Sequence, residues 1–146
     1  MKSVAEILKS KPDQTVYIIT PGDSAYDALR LMADRNIGAL LVMEEGEIVG
    51  IITERDYARK LLAMDRSSKL IKVREVMTSA VMYVRPEQTN EECMALMTDN
   101  RLRHLPVIDN DKLLGLVSIG DLVKDIISEQ QFLIEQLQHY IQGQRG

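Results

Sequence analysis

Two stretches decide how this chain reads: Gly50-Ile-Ile-Thr53-Glu-Arg-Asp56 and Gly115-Leu-Val-Ser118-Ile-Gly-Asp121. Each is an apolar run that closes on a hydroxyl side chain, with a carboxylate three residues later. They lie 65 positions apart, and the same register extends outward from both. It holds without a gap from Pro21 against Pro86 to Arg59 against Lys124. Within it Leu31 meets Leu96, Met32 meets Met97, Leu40 meets Leu105 and Val42 meets Val107. Two copies are too few for a solenoid, so a pseudo-twofold pair of subdomains is the natural reading.

Each copy carries the same run of elements. Ser24-Ala-Tyr-Asp27 and Thr89-Asn-Glu-Glu92 fit the capping-box pattern of a helix start. Apolar residues at helical spacing follow: Ala25, Ala28, Leu29 and Met32, then Cys93, Met94 and Met97. Ala39 to Met43 and His104 to Ile108 are short apolar runs of the kind that form strands buried on both faces. Pro106 cannot donate to a ladder, which puts it at an edge or an irregularity. Glu44-Glu-Gly46 and Asp109-Asn-Asp111 read as hairpin turns, with Ile48 to Thr53 and Leu113 to Ser118 as return strands. A second helix starts near Glu54 and again near Ile119. A further strand precedes each capped helix, at Val16-Tyr-Ile-Ile19 and Val81-Met-Tyr-Val84.

Each copy is therefore β-α-β-β-α, and the fold class is α/β (α+β). The chain divides into a first domain over 1–64, a polar linker over 65–72, a second domain over 73–127 and a C-terminal helical extension over 128–146. Val73 to Met77 reads as a short helical turn, echoed by Val4 to Leu8.

Composition narrows the function classes. Of 146 residues, 45% are hydrophobic and 27% charged, ordinary globular values. Eighteen basic residues against 22 acidic ones give a net charge of −4, and no dense Lys/Arg stripe is present, which disfavours a nucleic-acid partner. No apolar run approaches the roughly 20 residues that span a bilayer. The lone Cys93 cannot close a disulfide within the chain, which suits a reducing cytoplasm. It aligns with Ala28 and reads as a small buried thiol. One Cys and two distant His offer no zinc spacing, and no nucleophile dyad is visible. Neither a catalytic nor a metal site is expected.

The quoted motifs, with Val73-Arg-Glu-Val-Met-Thr78 and Arg103-His-Leu-Pro-Val107, resemble the cystathionine β-synthase (CBS) domain, and the pair resembles a Bateman module. The resemblance runs from about Val4 to Ile127. It implies a sensor or regulator without catalytic activity of its own, acting on an unidentified protein in trans. It also implies clefts between the repeats that take an adenine nucleotide such as AMP, ATP or NAD; S-adenosylmethionine keeps the same ribose. In the family the motif Asp binds the ribose diol and the Ser/Thr lies near the sugar or phosphate. Position by position, that names Thr53, Asp56, Ser118 and Asp121.

The residues themselves allow two chemistries. A helix start offers free N–H groups to an anion, and a carboxylate has two acceptor oxygens for neighbouring hydroxyls. Thr-x-x-Asp and Ser-x-x-Asp are equally plain helix caps. Arg55 inside the first motif, and Arg103 and His104 before Pro106, are candidates for phosphate. The first copy has Gly38 and Ala39 at the latter positions, so the two clefts are not equivalent. Val16, Tyr17, Met82 and Tyr83 are candidate walls for an adenine ring.

Beyond Asp121 the helical pattern runs on through Ile126, Ile127, Leu133, Ile134, Leu137 and Ile141 toward Gly143. That apolar stripe needs a cover, and a homodimer is expected. Two other functions compete with nucleotide sensing. One is an interaction or dimerisation module with vestigial clefts; the other is a nucleotide-processing enzyme.

Overall fold

The computed structural model describes the backbone of residues 2–64 and 66–145, with side chains as far as residue 142. Asp65, the first residue of the expected linker, lies outside the described residues. So do Met1 and Gly146. Helix α1 (Val4–Ser10) opens the chain, followed by β1 (Ile18–Ile19), α2 (Ala25–Arg35), β2 (Ala39–Glu44), β3 (Glu47–Thr53) and α3 (Glu54–Met64). Helix α4 (Val73–Val76) leads into the second copy: α5 (Asn90–Asn100), β4 (His104–Asp109), β5 (Lys112–Ser118) and α6 (Ile119–Arg145). From α2 to the start of α3, every boundary recurs 65 residues later, as the repeat register requires.

Local chemistry accounts for the element ends. Ser24 and Thr89 accept from the N–H groups of Asp27 and Glu92 at 3.0 and 3.2 Å and so cap α2 and α5. Asn36 and Arg101 end those helices in the left-handed region, at φ 54° and 56°. Both hairpins turn on two residues with positive φ, Glu45-Gly46 and Asn110-Asp111, which suits the right-handed twist of the strands they join.

The expected leading strands are shorter than their apolar patterns suggest, and the two copies differ. In the first, only Ile18–Ile19 pairs, parallel to Leu41–Val42, and the Leu41 N–H also donates to the Tyr17 carbonyl at 3.2 Å. In the second, Val81–Val84 reduces to a single bridge between Val84 and Val107. Pro106 stands where Leu41 stands in the first copy. It has no N–H to give to Met82, so one rung is missing. Its carbonyl still accepts from Val84 at 2.9 Å. Pro106 thus lies inside β4 at the place where a rung is lost.

The chain forms two compact units, and these cut across the linear division at residue 64. One unit is Thr15–Met82; the other joins Met1–Gln14 to Tyr83–Gly146. The hydrogen bonds explain the crossing. In the first unit the Val73 and Arg74 N–H groups donate to the Asp23 and Pro21 carbonyls at 2.8 and 3.1 Å. In the other unit the Val4 and Ala5 N–H groups donate to the Gln88 and Pro86 carbonyls at 2.8 and 2.9 Å. Helix α1 therefore docks on the second repeat as α4 docks on the first. Each unit has its own aliphatic core. Ala28, Met32, Leu40, Val42, Ile52, Val73 and Val76 build one; Val4, Ile7, Cys93, Met97, Leu105, Val117 and Leu122 build the other. Burial pushes the Cys93 thiol up to about 11, with Glu92 adding to the shift, which fits an inert packing residue.

Candidate functional site

In the unit formed by Thr15–Met82, β3 runs directly into α3, and Asp56 is the third residue of that helix. The Thr53 N–H donates to Asp56 Oδ2 at 3.3 Å, and the Asp56 N–H donates to Thr53 Oγ1 at 3.1 Å. This is a reciprocal cap: two otherwise unpaired backbone donors are satisfied by the same two side chains. Thr78 Oγ1 lies 3.4 Å from both Asp56 oxygens. One turn along the helix, Lys60 Nζ stands 3.8 Å from Asp56 Oδ1 and donates to the Val76 carbonyl at 2.7 Å. The carboxylate is therefore half-buried, held by its own backbone and overlaid by a hydroxyl and an ammonium.

The same construction appears in the other unit at the start of α6. The Ser118 N–H donates to Asp121 Oδ2 at 2.8 Å, and the Asp121 N–H donates to Ser118 Oγ at 3.2 Å. Here the cation is closer and comes from elsewhere in the chain. Lys11 Nζ lies 2.9 Å from Asp121 Oδ2 and donates to the Leu116 carbonyl at 2.8 Å. Asp121 also lines an open hollow of about 220 Å³ together with Lys2, Ser10, Lys11, Lys124 and Asp125. Sequence reasoning missed Lys11. It is 110 residues from its partner carboxylate, and only the docking of α1 on the second repeat brings the two together.

His104 pairs with Ser118 across the β4–β5 ladder, at the base of that helix start. Its Nδ1 is buried without a hydrogen-bond partner among the described residues. Burial pushes its pKa below the ordinary histidine value. Asp121 pulls the other way, while Lys11 and Arg103 reinforce the lowering. A neutral imidazole offers a ligand a hydrogen bond rather than charge. The unfolded chain then binds a proton near the ordinary 6.5 that the folded chain refuses. His104 therefore contributes stability that is whole above that pH and is lost as pH falls below it. Urea midpoints measured from pH 7.5 down to pH 5 should drop for the native protein and drop less for His104→Gln. Parallel profiles would remove this role.

The remaining candidates are more dispersed. Arg55 and Arg103 are exposed, each one residue from a candidate. Tyr17 is half-buried on the first core, with the Arg35 guanidinium 5.4 Å from its ring centre. Val16 is half-buried, and Met82 and Tyr83 are exposed, Met82 ending one unit and Tyr83 opening the stretch that completes the other. The motif glycines give way to the protein itself. Gly50 faces Met77 and Thr78, and Gly115 faces Leu8, so the segments around α4 and α1 fill the space that a side chain at either position would need.

A capped carboxylate at the end of a strand is thus built twice, once in each repeat. The CBS domain model matches residues 4–63 and 73–128, and the chain belongs to the CBS domain family with two copies of the domain. Similar proteins are spread widely. A protein with CBS domains from Burkholderia ambifaria superposes with a TM-score of 0.86 at 57% identity, over 88% of this chain and 96% of that one. The mitochondrial CBS domain-containing protein CBSX3 of Arabidopsis thaliana is 42% identical over 97% of this chain and 72% of its own length. A hexameric CBS-CP12 protein from bloom-forming cyanobacteria has a TM-score of 0.73 at 31% identity, over 83% of this chain and 70% of that one.

Proposed function

We propose that this protein is a regulatory module that binds an adenine nucleotide of the AMP, ATP or NAD class and passes the binding on as a change in its own arrangement. The observation that carries this reading is the twofold recurrence of one site chemistry. Asp56 and Asp121 each stand third in a helix, each with one oxygen tied to the last N–H of the preceding strand. Among the described residues, the other oxygen of each is held by nothing tighter than the 3.4 Å contact from Thr78. A carboxylate fixed by one oxygen keeps its other oxygen, and a lone pair on the fixed one, to accept the two neighbouring hydroxyls of a ribose. Thr53 and Ser118 cap these helices beside the carboxylates, and Arg55, Arg103 and Lys11 supply cationic groups for phosphate. Val16, Tyr17, Met82 and Tyr83 serve as apolar walls.

The two sites are unequal. Asp121 carries Lys11 at 2.9 Å, whereas Asp56 has Lys60 only at 3.8 Å. A ligand at Asp121 has to share or displace a close cation; a ligand at Asp56 does not. We read the protein as binding without turnover, and as a homodimer in the cytoplasm. No helix among the described residues is long and apolar enough to cross a membrane. Ligand binding moves such a module only through unequal affinity for its arrangements.

Calorimetry with AMP, ATP, NAD and S-adenosylmethionine tests the assignment. Asp56→Asn and Asp121→Asn keep an acceptor for the cap and remove the charge. Each should weaken binding at its own site about tenfold or more, the value of a lost charged hydrogen bond. A double variant that binds as the native protein does, or a native protein that binds none of the four, would overturn the assignment.

A further inference from the structure

The distal half of α6 offers a surface that neither repeat uses. From residue 130 onward its described side chains are almost all exposed, although many are apolar. Ile127, Leu133, Ile134, Leu137 and Ile141 are each about half exposed or more, as is Phe132 on another side of the helix. Ile127, Ile134 and Ile141 recur every seventh residue, and Gln130 and Leu137 fall between them. That is the a and d pattern of a two-helix seam, with β-branched residues at a.

We propose that this seam pairs in parallel and in register with the same helix of a second copy of the chain. The inference rests on the homodimer reading above and names the surface that makes the dimer. Three observations favour a second copy as the occupant. The first is area. Half-exposed apolar side chains offer on the order of 100 Å² each, so Ile127, Ile134, Leu137 and Ile141 on the seam, with Val123 and Leu133 beside them, bring roughly 600 Å² per copy. The stems of Gln130 and Gln138 move that sum toward the roughly 800 Å² per partner of a stable interface. The second is charge. No Asp, Glu, Lys or Arg occupies a seam or flanking position between Ile126 and Ile141. Two copies of one acidic chain therefore meet there without repulsion. The third is register. In a parallel pair Gln130 faces Gln130 and Leu137 faces Leu137, amide on amide and apolar on apolar. An antiparallel pair that sets a against d, with Ile134 facing Leu137, puts Gln130 opposite Ile141, which leaves its amide unpaired.

Sedimentation equilibrium of the full chain, native and Ile134→Glu/Leu137→Glu, tests this. Both substitutions lie on an exposed face, and a cooperative thermal transition of the variant confirms folding, with a midpoint that falls as the dimer is lost. The native protein should be a dimer at micromolar concentration, and the double variant should dissociate at least 100-fold more readily. In a Cys93→Ser background, Ile127→Cys should oxidise to a covalent dimer, because parallel register sets residue 127 beside its own copy. A native dimer that survives both glutamates keeps the homodimer reading and overturns this surface. A native monomer overturns both. Failure of Ile127→Cys to cross-link overturns the parallel register.

Discussion

Gly50→Val should cost about 3 kcal/mol of folding stability, the upper range for forcing bulk into a packed site. A Cβ at Gly50 would lie 2.6 Å from Met77 Sδ and 3.1 Å from the Thr78 carbonyl oxygen. The methionine tip can swing away, but the carbonyl cannot. Thr78 exchanges two backbone hydrogen bonds with Ile51, at 3.0 and 2.9 Å, and that bridge pins the chain against the strand. Gly115 is the matching position of the second repeat, and its constraint is softer. Its Cβ would meet only the end of Leu8, at 2.9 and 3.2 Å. Gly115→Ala should therefore cost under about 1 kcal/mol, and Gly50→Ala about 2 kcal/mol. Urea unfolding monitored by far-UV circular dichroism measures all three. Equal costs for the two alanine variants would show that the Thr78 bridge yields as readily as a leucine tip. The strain also reaches the site. Thr78 carries the hydroxyl over Asp56, so Gly50→Ala should weaken a ligand at Asp56 and leave one at Asp121 untouched.

That contrast shows where sequence reading stops. The repeat register places both glycines identically, and it sets the helix and strand boundaries of both copies almost residue for residue. The caps at Ser24, Thr89, Thr53 and Ser118 are equally legible, because each depends on neighbours three residues away. The leading strands are not. Their pairing depends on whether a distant residue has an N–H to give, as Leu41 does and Pro106 does not. The crossing of α1 to the second repeat is invisible for a similar reason. It is a matter of which of two similar docking surfaces a similar segment finds. Lys11 and its contact with Asp121 follow from that choice, and no local pattern announces them. Asn90 is an intermediate case. As part of Thr89-Asn-Glu-Glu92 it reads as a polar helix start, yet the register aligns it with Ala25, whose counterparts in the helix pattern are core residues. That equivalence was a signal that the position is buried.

Asn90→Ala should cost about 2–4 kcal/mol, because it strips a buried carboxylate of its hydrogen bond. Asn90 is 2% exposed and Asp125 7% exposed. Asn90 Nδ2 donates to the Leu122 carbonyl and to Asp125 Oδ2, both at 2.9 Å, and so ties the start of α5 to the first turns of α6. The remaining partner, Lys2 at 3.3 Å, reaches Asp125 from a half-exposed side chain and is a weak substitute. Asp125→Ala removes the charge and leaves an amide instead, a smaller loss of about 1–3 kcal/mol. Asn90→Ala/Asp125→Ala should therefore lose less than the sum of the two, with a coupling of about 1–2 kcal/mol. Additive costs, measured by urea unfolding at fixed pH, would mean that the pair contributes nothing as a pair. Asp125 stands one turn beyond Asp121 on the same helix, so what Asn90 anchors is the helix start that presents the second carboxylate. Asn90→Ala should accordingly weaken a nucleotide at Asp121 and leave the Asp56 site at native affinity, a split that general loss of folding would not produce.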